Sequence, residues 1–189
     1  MPLRLLQVQP HFLTLHKPAN LSSQGPGQHV LALLRRQHPE LYDVEAPFTA
    51  PKSVHRLDRQ VCGLMIFARS MWATRTLARQ FRDGGVGKEY MALVDPPPQG
   101  DSGVITSPVD GKEAVTAWET HGRYLLLKPT TGRKHQLRKH LASIGSPILN
   151  DVLYGGPPSN GSGIALQCVS MSFTMGMERI AVEDELCIG

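Results

Sequence analysis

The residues best suited to chemistry lie in the stretch SVHRLDRQVCGLMIFARS, residues 53–70. One acid, Asp58, stands between Arg56 and Arg59, and the apolar run that follows, 64–68, predicts a buried strand. Two interpretations fit this arrangement. In the first, Asp58 forms a salt bridge or caps a turn. In the second, Asp58 is the catalytic carboxylate of an enzyme and lies just before that strand. The segment alone favours the first.

Two further segments offer partners for this carboxylate. Tyr90, in GKEYMALV, either points into a cleft or packs in the core, and its own segment favours the core. The apolar residues of GRKHQLRKHLASI recur at helical spacing, and the predicted helix begins near Gly132, where its free N–H groups and Arg133 would form an anion site. Arg138 lies on the edge of the buried face of this helix. A partly buried arginine needs a carboxylate, for which Asp58 is the candidate.

Other catalytic and metal-binding patterns are absent from the sequence. His135 and His140 are five positions apart, not the four of H-E-x-x-H, and neither a phosphate-binding glycine motif nor the elbow G-x-S-x-G occurs. The three cysteines, Cys62, Cys168 and Cys187, are far apart and form no C-x-x-C pair. The spacing therefore predicts neither a disulfide framework nor a metal site, and it favours a reducing compartment.

Composition and charge restrict the class of protein. With 189 residues, 41% of them hydrophobic, the chain is long enough for one globular domain, and it has neither a membrane-spanning apolar run nor a secretory signal pattern. The net charge is +4, and no acid occurs between Glu119 and Asp151. This basic segment is either a solvated face or a surface that contacts phosphates.

The predicted elements are strands in adjacent pairs with helices inserted between them. Helices are predicted over 29–38, 71–83 and 132–144; Ser70 caps the second, and Thr130 or Thr131 caps the third. Strands are predicted twice within 4–17 and over 62–68, 88–94, 114–120, 123–129 and 164–173. This order favours an α+β fold with a mixed, largely antiparallel sheet.

Several of these segments together resemble one family. HRLDRQVCGLMIFA resembles the segment H-R-L-D-x-x-T-S-G-L-L-L-F-A of pseudouridine synthases of the RluA type, which isomerise uridines in RNA. KEYMALV is similar to that family's K-x-Y-x-A-x-V strand. TGRKHQLRKHLASIGSPILNDVLYG is similar to its T-G-R-T-H-Q-I-R-x-H-L-A-x-x-G-x-P-I-x-G-D-x-x-Y-G, and FLTLHKPANL to its opening segment. The resemblance implies the pseudouridine synthase fold, with an active-site cleft across the sheet. It also implies one catalytic domain over 1–189 without a separate N-terminal RNA-binding domain.

The resemblance also implies roles for individual residues. Asp58 corresponds to the catalytic aspartate, Tyr90 to the tyrosine that stacks on the flipped base and assists proton transfer, and Arg138 to the arginine that pairs with the carboxylate. Arg56 corresponds to the residue that helps push the uridine out of its helix, and Leu137 to an apolar residue near the base. The further residues expected to bind RNA or support its binding are Lys17, Arg133, Lys134, His135 and Gln136.

The implied reaction breaks a glycosidic C–N bond and remakes it as a C–C bond to the same base. No group is lost, so neither a redox cofactor nor a metal is expected. The nucleophile is an ionised carboxylate, which a neighbouring arginine favours despite burial. Extruding a stacked uridine costs a few kcal/mol, which phosphate contacts along the basic segment would offset.

One departure from the family pattern keeps an alternative open. The family's Thr-Ser after the catalytic motif is here Val61-Cys62, which puts substrate choice and rate in question. The alternative is a non-catalytic RNA-binding protein of the same fold that acts in ribosome assembly. The intact set of Asp58, Tyr90 and Arg138 argues against it.

The expected partner is RNA, either rRNA or tRNA. The protein is expected to be a monomer unless it belongs to a larger ribonucleoprotein such as a ribosomal particle. No association with a membrane is expected. The expected location is the cytoplasm or an organellar matrix such as that of the mitochondrion, because no secretory signal is present.

Overall fold

A mixed β-sheet forms the centre of the computed structural model, which describes residues 2–188. Within that range the sheet has ten strands. They are β1 (Arg4–Val8), β2 (Phe12–Lys17), β3 (Phe48–Ser53), β4 (Cys62–Ser70), β5 (Gly87–Ala92), β6 (Ser102–Ile105), β7 (Thr116–His121), β8 (Tyr124–Pro129), β9 (Leu166–Met175) and β10 (Glu178–Glu183). The helices are α1 (Val30–Gln37), α2 (Met71–Asp83) and α3 (Gln136–Ser143).

The strand order confirms the predicted α+β class. Along the sheet the strands follow the order β1-β2-β4-β9-β5-β8-β7-β6, with β10 beside β9 and β3 beside β4. All of these pairs are antiparallel except β4 with β9, which is parallel. The chain therefore joins two antiparallel halves at one parallel contact near the middle of the sheet.

The apolar run of β4 explains why this strand lies near the centre of the sheet. The side chains from Leu64 to Ala68 are fully buried, as expected for a strand covered on both faces. The helix α2 packs on it through Ala73 and Leu77. Ser70 accepts a hydrogen bond from the Ala73 N–H at 3.1 Å, which confirms it as the cap of this helix. The segment between β3 and β4 lies against α2, because the ring of His55 stacks on Phe81 of this helix.

Three strands and one helix start differ from the sequence predictions. The strands β3, β6 and β10 were not predicted, and each lies at an edge or outside the main order, where proline, glycine and charged residues are tolerated. The helix α3 begins at Gln136 and not near Gly132, and its cap is His135 rather than a threonine. Among residues 2–188, no helix is long and apolar enough to cross a membrane.

Gly63 occupies a position of β4 that admits no side chain. Its φ is +109°, and a Cβ built there would lie 2.2 Å from the backbone oxygen of Cys168 on β9. The two strands meet here through the parallel pairs Cys62 with Gln167 and Gly63 with Cys168. Glycine is therefore required where the two halves of the sheet join.

We expect Gly63→Ala to lower the free energy of unfolding by roughly 3–5 kcal/mol, because a positive φ and overpacking both penalise the new methyl group. Gly122→Ala is the matched control: Gly122 also has a positive φ, +62°, but no atom lies within 4 Å of the place that its new methyl group would take. The control should lose about 1 kcal/mol. Urea denaturation followed by circular dichroism measures both, and equal losses would contradict the close approach of the strands.

Candidate active site

A cleft of about 510 Å³ opens beside the segment that carries Asp58. Its walls come from the segment between β3 and β4, the helix α2, the strand β5, the end of β8, the segment that leads into α3, the first turn of α3, and Leu166 of β9. Among the described residues that line it, Asp58 is the one acid. The arginines and lysines that line it are Arg56, Arg82, Lys88, Arg133, Lys134 and Arg138, and the histidines are His55 and His135. A single carboxylate thus lies in a basic surrounding.

The Asp58 carboxylate faces the cleft and is 19% exposed. Its Oδ2 lies 3.4 Å from Nη1 of Arg138 and 3.7 Å from Nε2 of His135. The Asp58 carbonyl accepts a hydrogen bond from the Val61 N–H at 3.1 Å, which closes a turn before β4. The predicted contact between Asp58 and Arg138 is confirmed. Arg59 instead donates to the carbonyl of Asn20.

Arg138 has a second and closer carboxylate partner, Asp151. Nε and Nη2 of Arg138 each donate to one oxygen of Asp151 at 2.7 Å, a bidentate pair in which both side chains are at most 2% exposed. The guanidinium also lies 4.9 Å from the centre of the Tyr154 ring, and Nη2 is 3.4 Å from Oε1 of Gln60. Arg138 is therefore fixed by groups other than Asp58, and its Nη1 group is left to point at the cleft.

The distances show how differently the two carboxylates are used. At 3.4 Å the contact with Asp58 is longer than an ordinary N–H···O hydrogen bond, whereas the contacts with Asp151 are short. Asp151 neutralises the buried guanidinium, and the Asp58 carboxylate is left outside that pair. The sequence-based predictions missed both Asp151 and Tyr154. The signal was present, because both stand in the motif that ends NDVLYG.

The segment that leads into α3 is held by the buried side chain of Gln136. Its oxygen accepts from the Thr131 hydroxyl at 2.7 Å and from the Arg133 N–H at 2.9 Å. Its nitrogen donates to the carbonyl of Val115 and the hydroxyl of Thr116. Gln136, expected among the RNA-binding residues, is 4% exposed and supports the segment from within. It places Arg133 and Lys134 at the cleft.

The correction to the start of α3 removes the predicted anion site at a helix N-terminus. Arg133 and Lys134 precede the helix, and His135 has a φ of +56°, so the chain turns sharply before its first helical residue. The Nε of Arg133 donates to the Glu113 carbonyl at 2.8 Å. The positive charge at this end of the cleft therefore comes from side chains and not from helical N–H groups.

His135 connects Asp58 with Tyr154. Its Nδ1 is 2.8 Å from the Tyr154 hydroxyl, and its Nε2 faces the Asp58 carboxylate. Burial lowers the pKa of His135, and the nearby cations Arg138, Lys134 and Lys139 act in the same direction, whereas Asp58 opposes them. At neutral pH the ring is therefore mainly uncharged, so that Arg138 is the principal positive charge beside Asp58.

Tyr90 and Leu137 both line the cleft, as predicted. Tyr90 lies on β5 opposite Cys168 of β9. Burial raises the pKa of Tyr90 well above its usual value, and the neighbouring groups Cys168 and Asp58 raise it further. The phenol is therefore protonated throughout the physiological range and can donate a hydrogen bond.

His55, for which no role was predicted, anchors the segment that carries Asp58. Its Nε2 accepts a hydrogen bond from the Ile66 N–H of β4 at 2.9 Å, and its ring stacks on Phe81 of α2 at 4.5 Å. Burial lowers the pKa of His55 to about 3, and Lys88 contributes to the lowering. A neutral ring is what this acceptor role requires.

Lys17 is fully buried, so it supports the cleft from behind and does not face RNA. Its Nζ donates to the carbonyls of Pro18, Leu21 and Arg59. Burial lowers the pKa of Lys17 to about 8, although the nearby groups Cys62 and Asp58 oppose this. The lysine thereby joins the end of β2 to the chain just after Asp58.

The two residues that depart from the family pattern face different surroundings. Val61 lines the cleft, whereas Cys62 is buried and does not belong to the lining. Only the first change therefore alters the wall of the cleft, from a hydroxyl to an apolar surface. The Cys62 thiol lies 3.7 Å from the Leu166 carbonyl.

The fold of the chain is shared with known structures. The chain superimposes on two solved structures, Human RNA Pseudouridylate Synthase Domain Containing 1 and Domain Containing 4, with TM-scores of 0.83 and 0.82. The alignments cover 97% of this chain and 83% and 88% of those chains, at 22% sequence identity in both cases. These structures share the fold.

Sequence comparison identifies the family. Residues 11–143 match the family described as RNA pseudouridylate synthase. The chain is 34% identical over 181 residues to the dual-specificity RNA pseudouridine synthase RluA of Pasteurella multocida. This alignment covers 82% of this chain and 78% of the relative. It is 31% identical to the protein of the same name from Escherichia coli K12 over 81% of this chain and 77% of that one. The chain belongs to the RNA pseudouridylate synthase family, and it is an isomerase of the RluA type.

We expect Asp151→Asn to lower the free energy of unfolding by roughly 3–5 kcal/mol, because it leaves the buried Arg138 charge without its bidentate partner. Asp110→Asn is the matched control, since Asp110 forms an exposed ion pair with Lys139 at 2.5 Å and should leave stability unchanged. Chemical denaturation of both variants measures the difference. A loss no larger than that of the control would show that Arg138 does not depend on Asp151.

Proposed function

We propose that the enzyme isomerises specific uridines in structured RNA, either rRNA or tRNA, with Asp58 as the nucleophile. The observation that carries this assignment is the arrangement of charge in the cleft. Asp58 is the one acid among the described lining residues, and Arg138 is fixed beside it by a different carboxylate. A reactive carboxylate needs this combination, because it must be ionised and yet not consumed by its own ion pair.

The reaction balances without any added reactant. The bond from ribose C1′ to base N1 breaks, and a bond from C1′ to C5 forms after the base has rotated. The proton on C5 leaves to solvent, and N1 gains a proton. The Asp58 carboxylate can attack either the ribose or the pyrimidine ring, and both routes begin with this one group at the wall of the cleft.

Tyr90 is proposed to hold the base while it rotates and to assist the proton transfer. An aromatic ring stacks on a flipped pyrimidine without fixing its rotation about the stacking axis. The raised pKa of Tyr90, caused first by burial and then by Cys168 and Asp58, keeps the hydroxyl protonated and able to donate. Leu137 and Val61, both buried and both at the cleft, supply an apolar wall.

The basic residues around the cleft are proposed to bind the RNA backbone. Arg56 is exposed next to Asp58 and is suited to enter the space that the extruded uridine leaves. Arg133 and Lys134 extend the positive surface on one side of the cleft, and Arg82 of α2 extends it on the other. Phosphate contacts of this kind supply affinity that does not depend on sequence and falls with added salt.

Action on more than one RNA is proposed from the relatives. Both bacterial relatives named above carry the description dual-specificity in their names. An open cleft with positive charge on two sides fits several helical RNAs, provided that each presents a uridine that can be extruded.

We expect Asp58→Asn to abolish tritium release from RNA labelled at uridine C5, because the amide keeps the shape of the side chain but is not a nucleophile. RNA affinity should remain within about threefold of wild type, since the phosphate contacts are intact.

Asp101→Asn, at an exposed acid outside the cleft, is the control and should retain full release. Tritium release by Asp58→Asn at the wild-type rate would refute the assignment of the nucleophile. If the wild type binds RNA but releases no tritium from total cellular RNA, the chain acts as a non-catalytic RNA-binding protein.

We expect Lys134→Ala and Arg133→Ala each to weaken RNA binding and to reduce the slope of log Kd against log salt by about 1. Arg123→Ala is the matched control, because Arg123 is an exposed arginine that does not line the cleft. Filter binding across a salt series gives the slopes. An unchanged slope in both cleft variants would show that phosphates are contacted elsewhere.

A further inference from the structure

Three side chains with metal-binding atoms meet outside the cleft. They are His16 of β2, Cys62 at the start of β4 and Cys187 near the end of the chain. One ligand atom from each lies within 4.8 Å of the other two. No spacing in the sequence indicates this cluster, because three distant segments contribute one residue each.

The imidazole of His16 is held in the orientation that a metal ligand needs. Its Nδ1 lies 2.6 Å from Oδ2 of Asp184, whose side chain is fully buried. Arg4 pairs with the other oxygen of Asp184, which keeps the carboxylate in place. A carboxylate that accepts the Nδ1 proton directs the lone pair of Nε2 outward, the arrangement found behind metal-bound histidines. The Nε2 atom faces the Cys187 thiol at 3.9 Å.

The backbone around Cys187 is held in place by Gln167 of β9. The buried amide of Gln167 accepts from the Cys187 N–H at 2.7 Å and donates to the Glu185 carbonyl at 2.7 Å. Gln167 is also the strand partner of Cys62. The side chain of Gln167 thus fixes the segment that carries Cys187, and its backbone lies beside Cys62.

We propose that His16, Cys62 and Cys187 form a binding site for a divalent metal ion, and that this ion is Zn²⁺. Thiolate and imidazole are the ligands that Zn²⁺ prefers, and three protein ligands leave a fourth position for solvent. Ligand atoms around tetrahedral zinc lie roughly 3.5–3.8 Å apart, so the cluster needs to contract by about 1 Å. Cys187 is exposed, which gives the ion a path of entry.

A cysteine binds a metal ion as its thiolate, so the incoming ion displaces the protons of Cys62 and Cys187, which pass to solvent. The bound ion would tie the end of the chain to β2 and to the strand that begins four residues after Asp58, so its role is to stabilise the fold behind the cleft.

The test is zinc binding by reduced, metal-free full-length protein, measured by calorimetry with Zn²⁺ alone and by absorption with Co²⁺ as a spectroscopic probe. The wild type should bind one equivalent, show the visible bands of tetrahedral cobalt and the charge transfer of a cobalt–thiolate bond, and melt at a higher temperature with zinc. Cys187→Ser and His16→Asn should each weaken binding at least about tenfold. Because neither RNA nor activity enters this measurement, its outcome is independent of the proposed catalytic roles.

Matched controls separate ligation from general damage. His121→Asn changes an exposed histidine away from the cluster, and Leu186→Ala changes the exposed neighbour of Cys187; both should bind zinc as the wild type does. Circular dichroism checks that Cys187→Ser is folded. Absence of binding by the wild type, or equal binding by the wild type and a folded Cys187→Ser, would overturn the proposal. Loss of binding in either control would also overturn it.

Discussion

The buried guanidinium of Arg138 is the constraint on which the site depends. A charge that is 2% exposed is tolerated only where its hydrogen-bonding groups are matched by fixed partners. Asp151 takes two of its N–H groups, Gln60 lies near the same edge, and the Tyr154 ring covers one face. What is left is the Nη1 group, which is directed at Asp58. The orientation of the guanidinium is thus set by contacts within the protein.

The surrounding elements serve this arrangement. The helix α3 carries Arg138, and the single turn after it carries Asp151 and Tyr154. His55 fastens the Asp58 segment to β4 and α2, and Gln136 fastens the segment before α3 to β7 and the residue that precedes it. Each support is a polar side chain that bonds to the backbone of a neighbouring strand or segment, which makes the geometry stiff. The cleft lies between these two fastened segments.

Much of this could be predicted because the signals are local. The apolar run of β4, the Ser70 cap and the helical spacing of α2 are each contained in one short window. The contact between Asp58 and Arg138 was predicted from the need of a buried arginine for a carboxylate, together with the family resemblance. The same need is met mainly by Asp151, which a single-partner argument overlooks.

What could not be predicted depends on contacts between distant segments. The start of α3 is set by Gln136 bonding to Val115 and Thr116, and by the left-handed conformation of His135, neither of which a helical pattern reveals. The strand β10 becomes a strand by pairing with β9, and its composition does not indicate it. The meeting of His16, Cys62 and Cys187 likewise needs the assembled sheet, so cysteine spacing predicted no site.

The most direct test of the central claim is single-turnover tritium release by Arg138→Lys. Lysine keeps the positive charge but cannot form the bidentate pair with Asp151 while directing a third N–H at Asp58. If the fixed guanidinium positions the nucleophile, the rate of the chemical step falls at least about tenfold with RNA affinity unchanged. A wild-type rate in this variant would show that charge alone suffices and that the fixed geometry around Arg138 does not control the reaction.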